Sequence, residues 1–562
     1  MTTAVGTKGS DVYTFDGVND PRVALYVLLV RDQKPEVIKE GLIKILYNSS
    51  ETIQDTDKLI EDAFVLAFMT RNIRGGKGER DISTEMFKIL YNEKDEIMNT
   101  LLDLIPEYGY WKDIFTLWED STNPTFHKKL SEIVINQLKK DEENALIPNK
   151  SISLLAKWIP RQTRQKEIAF YLAQKLFPEI TNYSYKMKLY RKKVVKLNKH
   201  LDTIEIKQCG KQWAAINPEH VPGRALAKYK KAFLNQKQCD SKEIKYPGNE
   251  DRINCANNFR EYMKKVMEGD AKVKAVNTVM PHEIYKNIID NFITTDDEKN
   301  INRSQWKMIS DDLKTNKILS RMIAMCDFSG SMDGTPKFVS AALGILFSEI
   351  TNTNKIMTFD STPEWITMPE TSDIYEKVLT VNSSNLGHGL STDFQKAMEL
   401  IITDLKKNKT PIDQAPTDLL VFTDMAWDEA CGSDRISSYT GNSYKNHVKY
   451  SPWQTHVEMI RESFKRVGED NFGEGNGYTM PRIIIWNLRA DININNFHAH
   501  ADTPGVLMYS GWSPSIFKRI LKEGFKAQTP YDALRNELDD PMYDIIRMRV
   551  FNKLPESGNF VL

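Results

Sequence analysis

Cysteine is scarce. The 562 residues include five, Cys209, Cys239, Cys255, Cys326 and Cys431, odd in number, widely spaced and without a CxxC pair. That argues against a disulfide scaffold and a cysteine zinc cluster, and it predicts a reducing, cytoplasmic compartment. No run approaches the ~18–20 apolar residues that span a bilayer, so no membrane partner is expected. The opening MTTAVGTKGSDVYTFDG lacks the apolar core of a signal peptide. Charge of one sign is not in excess: Lys+Arg and Asp+Glu are 76 each, so global electrostatics select no partner. Catalytic signatures are missing too. There is no G-x-S-x-G, no H-E-x-x-H and no paired Ser/His/Asp set, and a non-enzymatic role is expected.

What is there is an ordinary globular composition, hydrophobic 41% and charged 27%, in a chain too long for one core. Residues 1–20 are polar and read as an extended arm. From Pro21 onward apolar residues recur at three- and four-residue spacing, the mark of amphipathic helices. Asp20 is a candidate N-cap and Pro21 the first helical residue. Helices separated by short breaks follow to about residue 294, and Asp296–Ser304 reads as a charged linker. No strict period is visible. The region 21–315 is therefore expected to be all-α and solenoid-like, a HEAT-like helical repeat domain. After Leu319 the pattern alternates. Candidate strands are Met322–Asp327, Ile356–Phe359, Trp365–Met368, Leu419–Asp424, Arg482–Trp486 and Val506–Tyr509, with helical segments between them. This predicts a mostly parallel, doubly wound, Rossmann-like α/β domain over 316–562. Near its end, MRVFN reads as an edge strand.

The chemistry concentrates where the first of these strands ends. In RMIAMCDFSGSMDG a short apolar run leads into Asp327, followed by Ser329 and Ser331. Downstream, the glycine-rich GHGLSTD places Thr392 before a helix, and LLVFTD ends in Asp424. The carboxyl ends of neighbouring strands lie together in an open α/β sheet. Asp327, Ser329, Ser331, Thr392 and Asp424 are thus expected to form one oxygen cluster. Carboxylate and hydroxyl oxygens suit a hard divalent cation, Mg²⁺ before Mn²⁺ or Ca²⁺. The ion's open position would accept a carboxylate from a partner protein. His498, His500 and Asp502 alternate in HAHAD, but without further ligands they read as a loop. Trp427, Asp428 and Glu429 are candidates for the rim of the metal site.

These three elements, in this order, resemble the metal-ion-dependent adhesion site (MIDAS) of von Willebrand factor A domains. The upstream half resembles the Ro autoantigen (TROVE) architecture, and more nearly a related family of unknown function from plants, fungi and large DNA viruses. The matching stretches are IRGGKGER (73–80), IPEYGYWKD (105–113), LAKWIP (155–160), YRKKVVKLNKHL (190–201), WAAINPEHVPGRALAKYKKAF (213–233) and MPHEI (280–284). The resemblance implies a helical domain followed by an A domain, and an RNA-binding role.

The residues between Lys186 and Lys231 bear on that role by themselves. Lys188, Arg191, Lys192, Lys193, Lys196, Arg224, Lys228, Lys230 and Lys231 are interleaved with Tyr185, Tyr190, Trp213 and Tyr229. Cations beside aromatics suit phosphate contact and base stacking; a solvated lysine-rich helix face is the alternative. IRGGKGER lacks the G-x-x-x-x-G-K-[ST] pattern and a preceding strand. It reads as a tight interhelical turn, with Arg74, Lys77 and Arg80 as a secondary contact loop for RNA or an acidic surface. The expected function is that of a Ro-like ribonucleoprotein component binding small or structured RNA, with a magnesium adhesion site in its A domain. The alternative is a metal-dependent protein-interaction or assembly component without nucleic acid, virion-associated if the chain is viral.

Overall fold

The computed structural model describes residues 2–5, 11–14, 20–47, 55–238, 243–274, 279–290, 295–313, 321–351, 353–360, 362–371, 373–384, 394–424, 452–490, 504–517, 520 and 529–551. The chain divides into two compact units, neither continuous in sequence. One comprises Met1–Val37, Val279–Phe292 and Trp306–Glu537, and the other Ile38–Thr278, Ile293–Gln305 and Leu538–Leu562. This partition differs from the single boundary expected near residue 315.

The first unit carries the strands. β1 (Thr2–Val5) and β2 (Asp11–Thr14) pair antiparallel, where the sequence suggested an extended arm. The main sheet is built from β3 (Met322–Asp327), β4 (Lys355–Phe359), β5 (Trp365–Thr367), β6 (Asp418–Thr423), β7 (Arg482–Asn487) and β8 (Val506–Ser510). Their order is β5-β4-β3-β6-β7-β8, all parallel except β5, which runs antiparallel to β4 at one edge. Every residue of β6 and β8 is buried, as unbroken apolar runs require in a sheet covered on both faces.

Helix Thr335–Thr351 lies close against β3. A Cβ at Gly344 would stand 2.4 Å from Cys326 Sγ, so the approach depends on glycine. Two helices expected in the upstream domain belong to this unit instead. Pro281–Asp290 packs on Thr335–Thr351, and Pro21–Leu28 packs on β8. Ser510 Oγ donates to Tyr26 O at 2.6 Å and Asn487 Nδ2 donates to Val27 O at 2.9 Å. The apolar stripes of both helices find their partners here, and that decides their membership.

The second unit is helical. A buried ionic knot joins several of its helices: Arg71, at the end of Thr56–Arg71, donates to Asp113 Oδ2 at 2.6 Å, and Arg80 to Asp113 Oδ1 at 3.2 Å. A Cβ at Gly109 would sit 2.3 Å from Asp113 Oδ2 and 2.7 Å from Arg71 Nε. Tyr190 Oη donates to Pro160 O at 2.8 Å, tying YRKKVVKLNKHL to LAKWIP.

Two segments correct the expectations. Residues 296–304 are not a linker: Asp296–Leu313 is helical, with Glu298, Asn302, Ser304 and Gln305 buried. Thr295 and Glu298 form a reciprocal cap, Thr295 N to Glu298 Oε2 at 3.3 Å and Glu298 N to Thr295 Oγ1 at 3.4 Å. T-D-D-E is the capping-box pattern, so a helix start was present in the sequence. MRVFN is not a strand either, since Asp544–Val550 is helical. Ile546 and Val550, one turn apart, are both buried, while acidic Asp544 opens the helix and Arg547 and Arg549 close it, matching the helix dipole. Among the described residues no helix is long and apolar enough to cross a membrane.

Candidate metal centre

Strand register builds the site. Asp327 closes β3 and pairs with Phe359 of β4. On its other side Cys326 pairs with Phe422 of β6, which sets Thr423 beside Asp327 and Asp424 one residue beyond. Strand order reverses between β3 and β6, and such a reversal opens a crevice at the carboxyl ends of the strands.

Asp327 is held from two directions. Its Oδ1 accepts the Ser329 backbone N–H at 2.9 Å, and its Oδ2 accepts the Thr423 hydroxyl at 2.8 Å. Ser329 Oγ and Ser331 Oγ are hydrogen-bonded at 2.9 Å. Asp327, Thr423 and Asp424 are fully buried, Ser329 is nearly so, and Ser331 is half-exposed. The hydroxyl end of the cluster is therefore its way out to solvent.

Burial pushes the Asp327 carboxyl well above the ordinary carboxylate range, and the charge of Asp424 pushes it further. The hydrogen bonds from Ser329 and Thr423 pull the other way and are outweighed. Two carboxylates enclosed together disfavour double ionisation; a divalent cation between them would remove that penalty. The donors are all oxygens, two carboxylates and two hydroxyls, which fits a hard cation.

Of the five expected ligands, Asp327, Ser329, Ser331 and Asp424 come together. Thr392 lies outside the described residues, as do Trp427, Asp428 and Glu429 and the HAHAD segment. Among the described residues no group of three or more His, Cys, Asp or Glu side chains could hold a metal, so the hydroxyls are needed to complete a donor set here. Thr423 escaped the sequence reading. Its signal was the register itself, since strands ending in CD and FTD place that hydroxyl beside Asp327. Asp360, just beyond β4, is also buried, and its Oδ1 accepts from Thr362 N at 3.0 Å.

The basic residues separate into two groups. Lys188, Arg191, Lys192 and Lys196 are exposed on helix Tyr183–Leu201, and Arg224 and Lys228 are exposed on helix Gly223–Phe233. Lys193 is instead paired with Glu142. Lys230 is drawn inward. Burial lowers its pKa, and the charge of Glu298 opposes that fall. Half-buried Lys231 donates to Gln238 O at 2.9 Å.

The secondary contact loop turns mostly inward. Lys77 is 1% exposed and cannot reach an outside surface. Arg80 is held by Asp113 and Thr116, and Arg74 donates to Glu107 O. A Cβ at Gly76 would lie 2.0 Å from Met69 O. The glycines thus serve a tight turn over the preceding helix.

Residues 321–545 match a family described as a domain of unknown function (DUF7788), and residues 114–319 match a second domain of unknown function (DUF2828). The two matches meet close to the start of β3. The chain is also similar to an "Uncharacterized protein L728" of Acanthamoeba polyphaga mimivirus. Identity is 26% over 479 residues, covering 82% of this chain and 76% of that protein.

Proposed function

We propose that the protein is a metal-dependent adhesion and nucleic-acid-binding component rather than an enzyme. In this reading the sheet-bearing unit is a von Willebrand factor A-like domain. Asp327, Ser329, Ser331, Thr392 and Asp424 hold Mg²⁺ and leave one position for a carboxylate of a protein partner. The helical unit is a TROVE-like, HEAT-like domain, and its exposed cations hold RNA, as in a ribonucleoprotein. The observation that carries the reading is the buried Asp327–Asp424 pair at the reversal of strand order, completed by two serine hydroxyls. The parallel sheet with one antiparallel edge strand supports the A-domain half. The mimivirus relative supports association with a virus particle as an alternative to a purely cytoplasmic role.

The test uses bead-displayed peptides carrying a single glutamate, incubated with the full chain in Mg²⁺. Retention that is lost on adding EDTA, and absent for Asp327→Ala, is the expected result. Equal retention in EDTA, or by the folded variant, overturns the adhesion reading.

The second reading, adhesion without nucleic acid, is favoured by the inward commitments of Lys193 and Lys230. It predicts the same peptide result with no RNA bound.

A further inference from the structure

One face of helix Tyr183–Leu201 carries several cations, and the helix contains no acidic residue. At about 100° per residue, Tyr185, Lys188, Lys192, Val195, Lys196 and Lys199 fall within about 100° of arc, with Arg191 about 40° beyond its edge. All seven are exposed, Tyr185 and Val195 at 51% each. Among the described residues, Lys188, Arg191, Lys192, Lys196 and Lys199 form no ion pair. Some lysines elsewhere in this unit are paired. Lys44 sits over Glu40, Lys88 over Glu85 and Lys265 over Glu261. Even Lys193, on the flank of the same helix, is paired. In a chain of net charge zero, this helix gathers its cations on one face and contains no acidic residue.

We propose that this face holds a single strand of nucleic acid laid along the helix axis, its successive phosphates against Lys188, Lys192 and Lys196. The inference rests on the nucleic-acid half of the function above and adds the strand form and the contact residues. Lysines four residues apart rise about 6 Å along the axis, wider than the ~3.4 Å axial spacing of phosphates in one strand of a duplex, so a strand extended beyond duplex form matches them better. The outer face of a helix is convex and does not enclose a duplex. The exposed ring of Tyr185, at one end of the row, offers a stacking surface that only an unpaired base can meet. An anionic lipid surface would satisfy the charge but would use neither the spacing nor the ring.

The experiment is fluorescence anisotropy of the full chain with short oligouridine, with an RNA duplex of equal length, and with phosphatidylserine vesicles, each over a salt series. Oligouridine is expected to bind more tightly than duplex, with a log–log salt slope of about −2 for three phosphate contacts. The combined Lys188→Glu, Lys192→Glu and Lys196→Glu variant should lose at least ~30-fold in affinity. Tyr185→Ala should lose about tenfold with the slope unchanged, and Lys44→Glu should bind as wild type. Binding of neither nucleic acid by wild type overturns the nucleic-acid reading itself. Preference for duplex, binding to vesicles alone, or unchanged affinity in the folded triple variant overturns this placement and leaves that reading standing.

Discussion

Asp327 makes two commitments at once: it is buried, and it faces a second buried carboxylate. Its raised pKa means that the folded chain keeps a proton that the unfolded chain has released. Over the window from about pH 4 up through neutrality, the folded state therefore binds more protons than the unfolded one. The contribution of Asp327 to stability without metal therefore falls as pH rises through that window. The melting temperature of wild type minus that of Asp327→Asn, both measured in EDTA, should drop with rising pH. Saturating Mg²⁺ should raise the wild-type midpoint more at pH 8 than at pH 5. A difference that rises with pH would contradict the paired-carboxylate geometry. Thr423 contributes by orientation: its hydroxyl fixes one oxygen of Asp327. Thr423→Val should weaken Mg²⁺ about tenfold or more, and Thr423→Ser should restore it.

At the scale of elements, the strands of the main sheet were legible, whereas the terminal hairpin and the polar start of Asp296–Leu313 were not. Continuous apolar runs such as LLVF and RIIIW have few other homes than a buried parallel sheet, and β3 was readable residue for residue. The D-x-S-x-S and the strand-terminal Asp424 could be joined because α/β sheets gather their carboxyl ends. Sequence pattern failed where burial is polar. Asp296–Ser304 looked like a linker because Glu298, Asn302 and Ser304 are polar residues that the fold buries, and the helix runs on to Gln305, whose Nε2 donates to Gly223 O at 2.8 Å. Lys77 looked like a contact residue for the same reason. Arg71 and Asp113, each about 2% exposed, carry the largest expected effect among these elements. Asp113→Ala strands a buried guanidinium and should cost about 3–5 kcal/mol. Removing the exposed Lys44–Glu40 pair should cost about 1 kcal/mol or less. Urea denaturation of both variants checks the contrast.

On the scale of the whole molecule, each compact unit draws on distant parts of the chain. Residues 538–551 return to the helical unit. Tyr543 is fully buried, stacks on Tyr108 with ring centroids 5.7 Å apart and accepts from Asn72 Nδ2 at 3.1 Å; Arg549 pairs with Asp103 at 2.6 Å. No local pattern announces a contact across more than four hundred residues, which is why the tail could not be placed from sequence. Tyr543→Ala should destabilise the helical unit by about 3–5 kcal/mol, visible as earlier proteolysis within residues 56–120 and no change in Mg²⁺ affinity. If that variant lost metal binding while its sheet-bearing unit stayed folded, the independence of the site from this tail would be refuted.

Isothermal titration of Mg²⁺ into the full chain decides whether the two buried aspartates hold a cation. Saturable binding at a single site is predicted, abolished in Asp424→Asn and Asp327→Asn while both variants remain folded. Absence of saturable binding, or binding that survives both substitutions, would contradict it.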